Sequence, residues 1–265
     1  MAKITISDLY AMKENGEKIV MITAYDALFA KIFDNEVDMV LVGDSLNMSF
    51  GGHTETIGLG VDEMIYHARA VRRALTHPYL VVDMPFCSCA TPELALKNCA
   101  KVYEKTGCDA VKIEGGKDFA PIIELLSKNG IAVVSHIGLR PQLSRFAGGY
   151  KVSGRKENDE KRLIEDAKIM QNSGAVLLLL EGTISSVANE VMKVASVPVI
   201  GIGAGAGTDG QVLVWSDMLG FFDEFKPKFV KRYLNGAELV RNAVKEYAKD
   251  VKNGTFPSEE FEYLK

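Results

Sequence analysis

Eight short apolar runs punctuate this chain, and they set the strongest limit on its fold. They are 19–24 (IVMITA), 39–43 (MVLVG), 79–83 (YLVVD), 110–114 (AVKIE), 132–137 (AVVSHI), 176–181 (VLLLLE), 197–203 (VPVIGIG) and 211–215 (QVLVW). Each is nearly continuous in hydrophobicity, the pattern of strands covered on both faces. Helical patterns lie between them. Residues 61–75 set Met64, Ala68, Val71 and Leu75 on one side at close to 3.6-residue spacing. Residues 91–107 open with Thr91 as N-cap, Pro92 in the first helical position and Glu93 in the first turn, and close at Gly107. Residues 158–174 follow the same plan and close at Gly174. Strand–helix alternation over 265 residues, with about eight strands, reads as an α/β fold of the (β/α)8 TIM-barrel kind. One domain over 1–265 is expected, with C-terminal helices from about 217 covering the barrel or a neighbour. An open doubly wound sheet is the rival. Against it, no G-x-G-x-x-G follows the first strand.

Composition removes several classes of partner. The net charge is −4, from 31 basic and 35 acidic residues. No basic stripe with interleaved aromatics marks a nucleic-acid surface. The first twenty residues are polar and mixed in charge, unlike a signal peptide. The apolar run 176–180 is far too short to cross a bilayer. A cytoplasmic protein without membrane or nucleic-acid partners is expected. Cys87 and Cys89 form a C-x-C without a second pair or a nearby histidine, which argues against zinc. Together with Cys99 and Cys108 they read as reduced, mostly buried thiols.

The chemistry concentrates where strands end. Asp44 follows MVLVG, Asp83 closes YLVVD and Glu114 closes AVKIE. Burying unpaired carboxylates is costly, so a shared cation is expected. Hard oxygen ligands from separate elements suit Mg²⁺. Lys112 and Glu114 are two apart on one strand and therefore share a face. A structural ion pair is the alternative reading, but one lysine cannot neutralise three acids. Ser45 offers a hydroxyl to a substrate carboxylate, or else caps a turn. Glu181 ends a run of four leucines, which should raise its pKa toward that of a general acid or base. A capping or salt-bridged glutamate is the plainer reading. His136 is either a satisfied core residue or a contact supporting the site. The glycine cluster 201–210 (GIGAGAGTDG) serves a phosphate, another ligand or a tight turn. The segment 45–60 is a Gly-rich loop suited to a lid, and 140–158 is a second long excursion.

The segments VGDSLNM (42–48), VVDMPF (81–86), TPELALKNCAKV (91–102), VKIEGG (111–116), HIGLRPQ (136–142), FAGGYKVSGR (146–155), LEGT (180–183) and PVIGIGAGAGTDGQVLVWSDMLG (198–220) resemble the ketopantoate hydroxymethyltransferase family. The resemblance covers roughly residues 3 to 250. It implies a barrel of the phosphoenolpyruvate mutase/isocitrate lyase type, assembled as a homodecamer. It implies a transferase of pantothenate and coenzyme A biosynthesis. Such an enzyme moves a hydroxymethyl group from 5,10-methylenetetrahydrofolate to 3-methyl-2-oxobutanoate, giving 2-dehydropantoate. One Mg²⁺ per subunit is implied, held by Asp44, Asp83 and Glu114. Ser45 and Lys112 match the keto-acid-binding pair, beside Asp44 and Asp83, and Glu181 matches the catalytic base. The chain departs from the family pattern at 135–142, where SHIGLRPQ brings in Arg140. The stretch after Asn47 and the turn at Ala206–Gly207 also differ. Three rivals fit less well. A lyase or phosphonomutase on this scaffold would want a reactive lid, and 45–60 has no cysteine. A non-catalytic sensor has no need of all three acids. A metal-free sugar-phosphate isomerase leaves Asp44 and Asp83 unexplained.

Overall fold

The computed structural model of the chain describes residues 2–222 and 226–263. Eight parallel strands close into a barrel in sequential order. They are β1 (Ile19–Thr23), β2 (Met39–Val42), β3 (Tyr79–Asp83), β4 (Ala110–Glu114), β5 (Val133–Gly138), β6 (Leu177–Glu181), β7 (Val199–Ile202) and β8 (Gly210–Leu213). All eight sequence-derived strands are present, with ends shifted by at most two residues. β1 pairs with β8 from Ile19↔Gly210 to Ile22↔Leu213, which closes the ring and excludes the open sheet. The helices between strands include Val61–Ala74, Pro92–Thr106 and Glu157–Asn172, as the patterns predict. Met64, Ala68, Val71 and Leu75 are all buried. The Thr91 side chain accepts from the Leu94 N–H, and Gly107 ends that helix at φ +63°.

Strand parity explains both the core and the site. Ile19, Met21, Met39, Leu41, Tyr79, Val81, Ala110, Val134, Leu177, Leu179, Ile200, Ile202 and Val212 form one buried cluster. Alternate residues such as Val40, Leu80, Val82, Val111, Val133 and Leu178 are equally buried. They have the opposite parity and face the surrounding helices. This double burial is why the strands read as continuous apolar runs. Leu9 joins the interior cluster from the helix Ile6–Asn15, with Ile4, Ile6 and Met12 packed beside it. These residues floor the barrel at its N-terminal end. Carried to the other end, the inward parity reaches Asp83, Lys112, Glu114, His136 and Glu181.

The glycine cluster between β7 and β8 has a packing explanation. A side chain at Gly205 would press on Ser185, one at Gly207 on Asn189, and one at Gly210 on Ile19. These close approaches let a short loop join adjacent strands without an intervening helix. Cys89, Cys99 and Cys108 are buried and Cys87 is exposed.

By compactness the chain falls into two units, Met1–Val214 and Trp215–Lys265. The first contains the barrel. The second contains the helices Trp215–Met218 and Gly236–Asn253, with Trp215 packed edge-on against Phe221. The longer helix ends at Gly254 in the left-handed conformation. Among the described residues, no helix is long and apolar enough to cross a membrane.

Leu9 is fully buried in the floor. Leu9→Ala should destabilise the protein by on the order of 2–5 kcal/mol through lost burial and a residual cavity. Urea unfolding monitored by circular dichroism measures this, and a loss below about 1 kcal/mol would contradict the packing described.

Candidate active site

Each acid arrives at the barrel's C-terminal end by a different local route. Asp83 and Glu114 are the last residues of β3 and β4. Asp44 lies just past β2, at the start of a turn that leads into the short helix Leu46–Ser49. Its backbone N–H donates to Asp83 Oδ2 at 2.9 Å. The sheet register sets Asp83 beside Lys112, Glu114 beside His136, and Gly138 beside Glu181. Gly138 has φ +95°, and a Cβ there would drive into the Glu181 backbone. Only glycine lets β5 turn outward so close to Glu181.

Lys112 is the buried cation of this cluster. Its Nζ lies 3.2 Å from Asp83 Oδ1 and 3.8 Å from Glu114 Oε1. It also lies 3.1 Å from His136 Nδ1. An ammonium has no acceptor, so His136 Nδ1 accepts and the ring proton sits on Nε2. Nε2 in turn faces Glu181 Oε2 at 3.4 Å. His136 therefore lies between the lysine, which it hydrogen-bonds, and the glutamate, which its Nε2 approaches without a hydrogen bond. Burial, then the neighbouring Lys112 charge, hold His136 well below its usual pKa, so it is neutral.

Four carboxyls surround one ammonium, and their titration shows the imbalance. Burial raises Asp44, and repulsion from Asp83 and Glu114 adds to it. Burial raises Asp83 despite Lys112. Burial lifts Glu114 to about 7, with Lys112 opposing and Glu181 reinforcing. Burial lifts Glu181 to about 8, with Asp44 and Asp83 adding to the rise against Lys112. Burial alone would lower Lys112, but Asp83, Glu114 and Asp44 outweigh it and hold the ammonium charged. A single structural ion pair between Lys112 and Glu114 does not describe this arrangement.

The Ser45 side chain makes no helix-capping hydrogen bond. Its hydroxyl instead lies 2.7 Å from the Tyr25 hydroxyl. Glu181 is 18 % exposed at its side chain, so the site opens on its side of the barrel. Above it, the two long loops are joined. Asn47 donates to the Glu55 and Ile57 carbonyls at 2.8 Å each, and Arg145 Nε donates to both Glu55 carboxylate oxygens.

Residues 3–259 match the sequence profile of ketopantoate hydroxymethyltransferase. The 3-methyl-2-oxobutanoate hydroxymethyltransferase of Campylobacter fetus subsp. fetus is 64% identical over 265 residues, covering 100% of both chains. That of Helicobacter pylori strain 26695 is 52% identical, over 97% of this chain and 95% of its own. The chain belongs to the ketopantoate hydroxymethyltransferase family. In fold the chain resembles 2,3-dimethylmalate lyase, a PEP mutase/isocitrate lyase superfamily member. The TM-score is 0.62 at 15% identity, covering 100% of this chain and 89% of that one. It also resembles phosphonopyruvate hydrolase in a complex with oxalate and Mg²⁺, with a TM-score of 0.60 at 14% identity, covering 97% and 93%. These likenesses establish the barrel type.

The sequence-derived residues Asp44, Ser45, Asp83, Lys112, Glu114, His136 and Glu181 all reach this end of the barrel. Among the described residues, no three His, Cys, Asp or Glu side chains already stand as a metal cluster. The Lys112 ammonium instead lies between Asp83 and Glu114. Two residues that touch this cluster escape sequence reasoning. Gln142 donates from Nε2 to Asp44 Oδ2 at 2.8 Å, and Tyr25 is fully buried against Ser45. Both are uncharged, so no charge pattern marks them. Tyr25 does sit just past an apolar strand, as Asp44 does.

Glu181 gives a clear pH signature. Its folded pKa, about 8, lies above its ordinary value of 4.5. Between these values the folded state holds a proton that the unfolded state has lost, so stability falls as pH rises through this window. Glu181→Gln should flatten that fall in the metal-free protein, as read from melting temperatures at pH 5 to 9. An unchanged profile would remove Glu181 from the cause.

Proposed function

We propose that this chain transfers a hydroxymethyl group from 5,10-methylenetetrahydrofolate to 3-methyl-2-oxobutanoate, giving 2-dehydropantoate. The observation that carries the reading is four carboxyls around one ammonium, at the end of the barrel where this fold places chemistry. Asp44, Asp83 and Glu114 suit a hard divalent cation. Asp83 Oδ1 and Glu114 Oε1 are buried with the Lys112 ammonium at 3.2 and 3.8 Å and no uncharged donor, so both keep a lone pair to give. One Mg²⁺ per subunit fits this donor set, and a further positive charge offsets the excess of carboxylates. When bound, such an ion polarises the 2-oxo group and lowers the pKa of the neighbouring C3–H.

The remaining work falls to the chain's own residues. Lys112 attracts the substrate carboxylate and adds positive field where enolate charge develops. Ser45, aligned by Tyr25, donates its hydroxyl to the same carboxylate. Glu181 takes the proton from C3. A carboxyl with a pKa near 8 is a stronger base than an ordinary glutamate and suits this step. Neutral His136 bonds Lys112 and packs against Glu181 at 3.4 Å, between the carboxylate anchor and the base. Water hydrolyses the folate-borne methylene to formaldehyde and tetrahydrofolate. The C3 nucleophile adds to the formaldehyde carbon, and the alkoxide so formed takes a proton to become the hydroxymethyl group.

The folate is proposed to meet the mouth of the barrel. Residues 140–156 carry five basic residues and no acid, an attractive surface for its anionic glutamyl end. Phe146, fully exposed in this segment, offers a ring for stacking. Assembly as a homodecamer and a cytoplasmic location belong to the same reading. Exposed Leu239, Val240, Val244 and Tyr247 on the helix Gly236–Asn253 support self-association.

Turnover of 3-methyl-2-oxobutanoate with methylenetetrahydrofolate should vanish on EDTA treatment and return with Mg²⁺. Glu181→Gln should keep the fold and lose deuterium wash-in at C3 by roughly 10²–10⁴-fold. Turnover without metal would contradict the role of the three acids, and undiminished wash-in would remove Glu181 as the base.

A further inference from the structure

We propose that Gln142 is the positioning residue that turns one oxygen of Asp44 and one of Glu114 toward a shared divalent cation. This rests on the divalent-cation reading above. Three carboxylates meet here, and each has one oxygen held by an uncharged donor. Asp83 Oδ2 takes the Asp44 backbone N–H. Glu114 Oε2 takes the Gln142 backbone N–H at 3.1 Å. Asp44 Oδ2 takes the Gln142 side-chain amide at 2.8 Å. Gln142 thus supplies two of these three donors. The second oxygens of Asp83 and Glu114 are buried, face the Lys112 ammonium at 3.2 and 3.8 Å, and take no uncharged donor. A carboxylate anchored through one oxygen presents the other in a fixed direction.

The amide can adopt only one orientation. Nε2 also donates to the Met84 carbonyl at 3.0 Å. A carbonyl oxygen cannot donate, so a flipped amide would set two acceptors against each other. Met84 directly follows Asp83, so Gln142 ties together the ends of β2, β3 and β4. Its own place is fixed from β5. Leu139 N–H donates to the Glu181 carbonyl at 2.9 Å, and Pro141–Leu143 form one tight turn. That turn aims the Gln142 N–H at Glu114.

Charge explains why a glutamine serves here. Lysine or arginine could make similar contacts but would bring a second fixed cation to compete with the metal. Glutamate would add a carboxylate to a cluster already over-supplied. An amide orients two acids and leaves the net charge unchanged. Residues supporting metal ligands in this way typically govern affinity by about 10–100-fold.

The test uses Mn²⁺ alone, with binding to the intact protein followed by electron paramagnetic resonance. The parent protein should bind one Mn²⁺ per subunit. Gln142→Met keeps the length and the backbone N–H but removes the amide. It should weaken Mn²⁺ binding by about 10–100-fold with a melting temperature close to the parent's. Turnover should recover at saturating Mn²⁺. Should Gln142→Met fail to fold, Gln142→Asn carries the same test, because its amide is one methylene too short to reach both acceptors. Parent-like Mn²⁺ affinity in the folded variant would overturn the role of Gln142 alone. Absence of Mn²⁺ binding by the parent would overturn the divalent-cation reading and this inference with it.

Discussion

A single buried ammonium among three buried carboxyls and a fourth, Glu181, at the opening is the constraint on which the rest of this site depends. Removing charge from water costs several kcal/mol per ion unless partners compensate. Lys112 compensates in part, through Asp83 and Glu114. The remainder appears as raised pKa values at Asp44, Asp83, Glu114 and Glu181. An arrangement with excess negative charge would be a poor way to stabilise a fold. It is a good way to hold a cation and to keep a strong base near neutral pH.

The barrel solves the positional problem with parity alone. Along each strand, inward residues at the bottom are apolar and pack with Leu9. At the top of β3, β4, β5 and β6 the same parity presents titratable side chains. β4 shows the change within five residues, from Ala110 through Lys112 to Glu114. β5 follows with Val134 and His136, and β6 with Leu177, Leu179 and Glu181. Closure of the ring fixes the spacing between these side chains, so short loops need only finish the site. Tyr25, Asp44, Ser45 and Gln142 are supplied from beyond the strands. Asp44 and Gln142 are held by hydrogen bonds to strand-end carboxylates, which extends the rigidity of the sheet into the loops.

Much of this was readable from residue order. Continuous apolar runs reflect burial on both faces, so strands and barrel were accessible before any coordinates. Acids at strand ends stand out because they break those runs. Lys112 and Glu114 share a face by period two. His136 was ambiguous, since a neutral histidine on an apolar strand looks the same whether it fills space or links two functional groups. Ser45 was equally open, because its partner, Tyr25, lies twenty residues away. Gln142 was invisible for a similar reason. Its contacts to Asp44 and Met84 span 98 and 58 residues, and an amide leaves no charge signature. The glycines of 201–210 stay open between a turn and a ligand from residue order alone, because close packing and ligand approach demand the same residue.

The most direct test is a crystal structure of the protein grown with Mn²⁺ and 3-methyl-2-oxobutanoate, with the ion located by anomalous scattering. The expected result is one anomalous peak within direct or one-water reach of Asp44, Asp83 and Glu114, with the keto-acid carboxylate beside Lys112. A peak elsewhere, or carboxylates splayed too widely to share one ion, would contradict it.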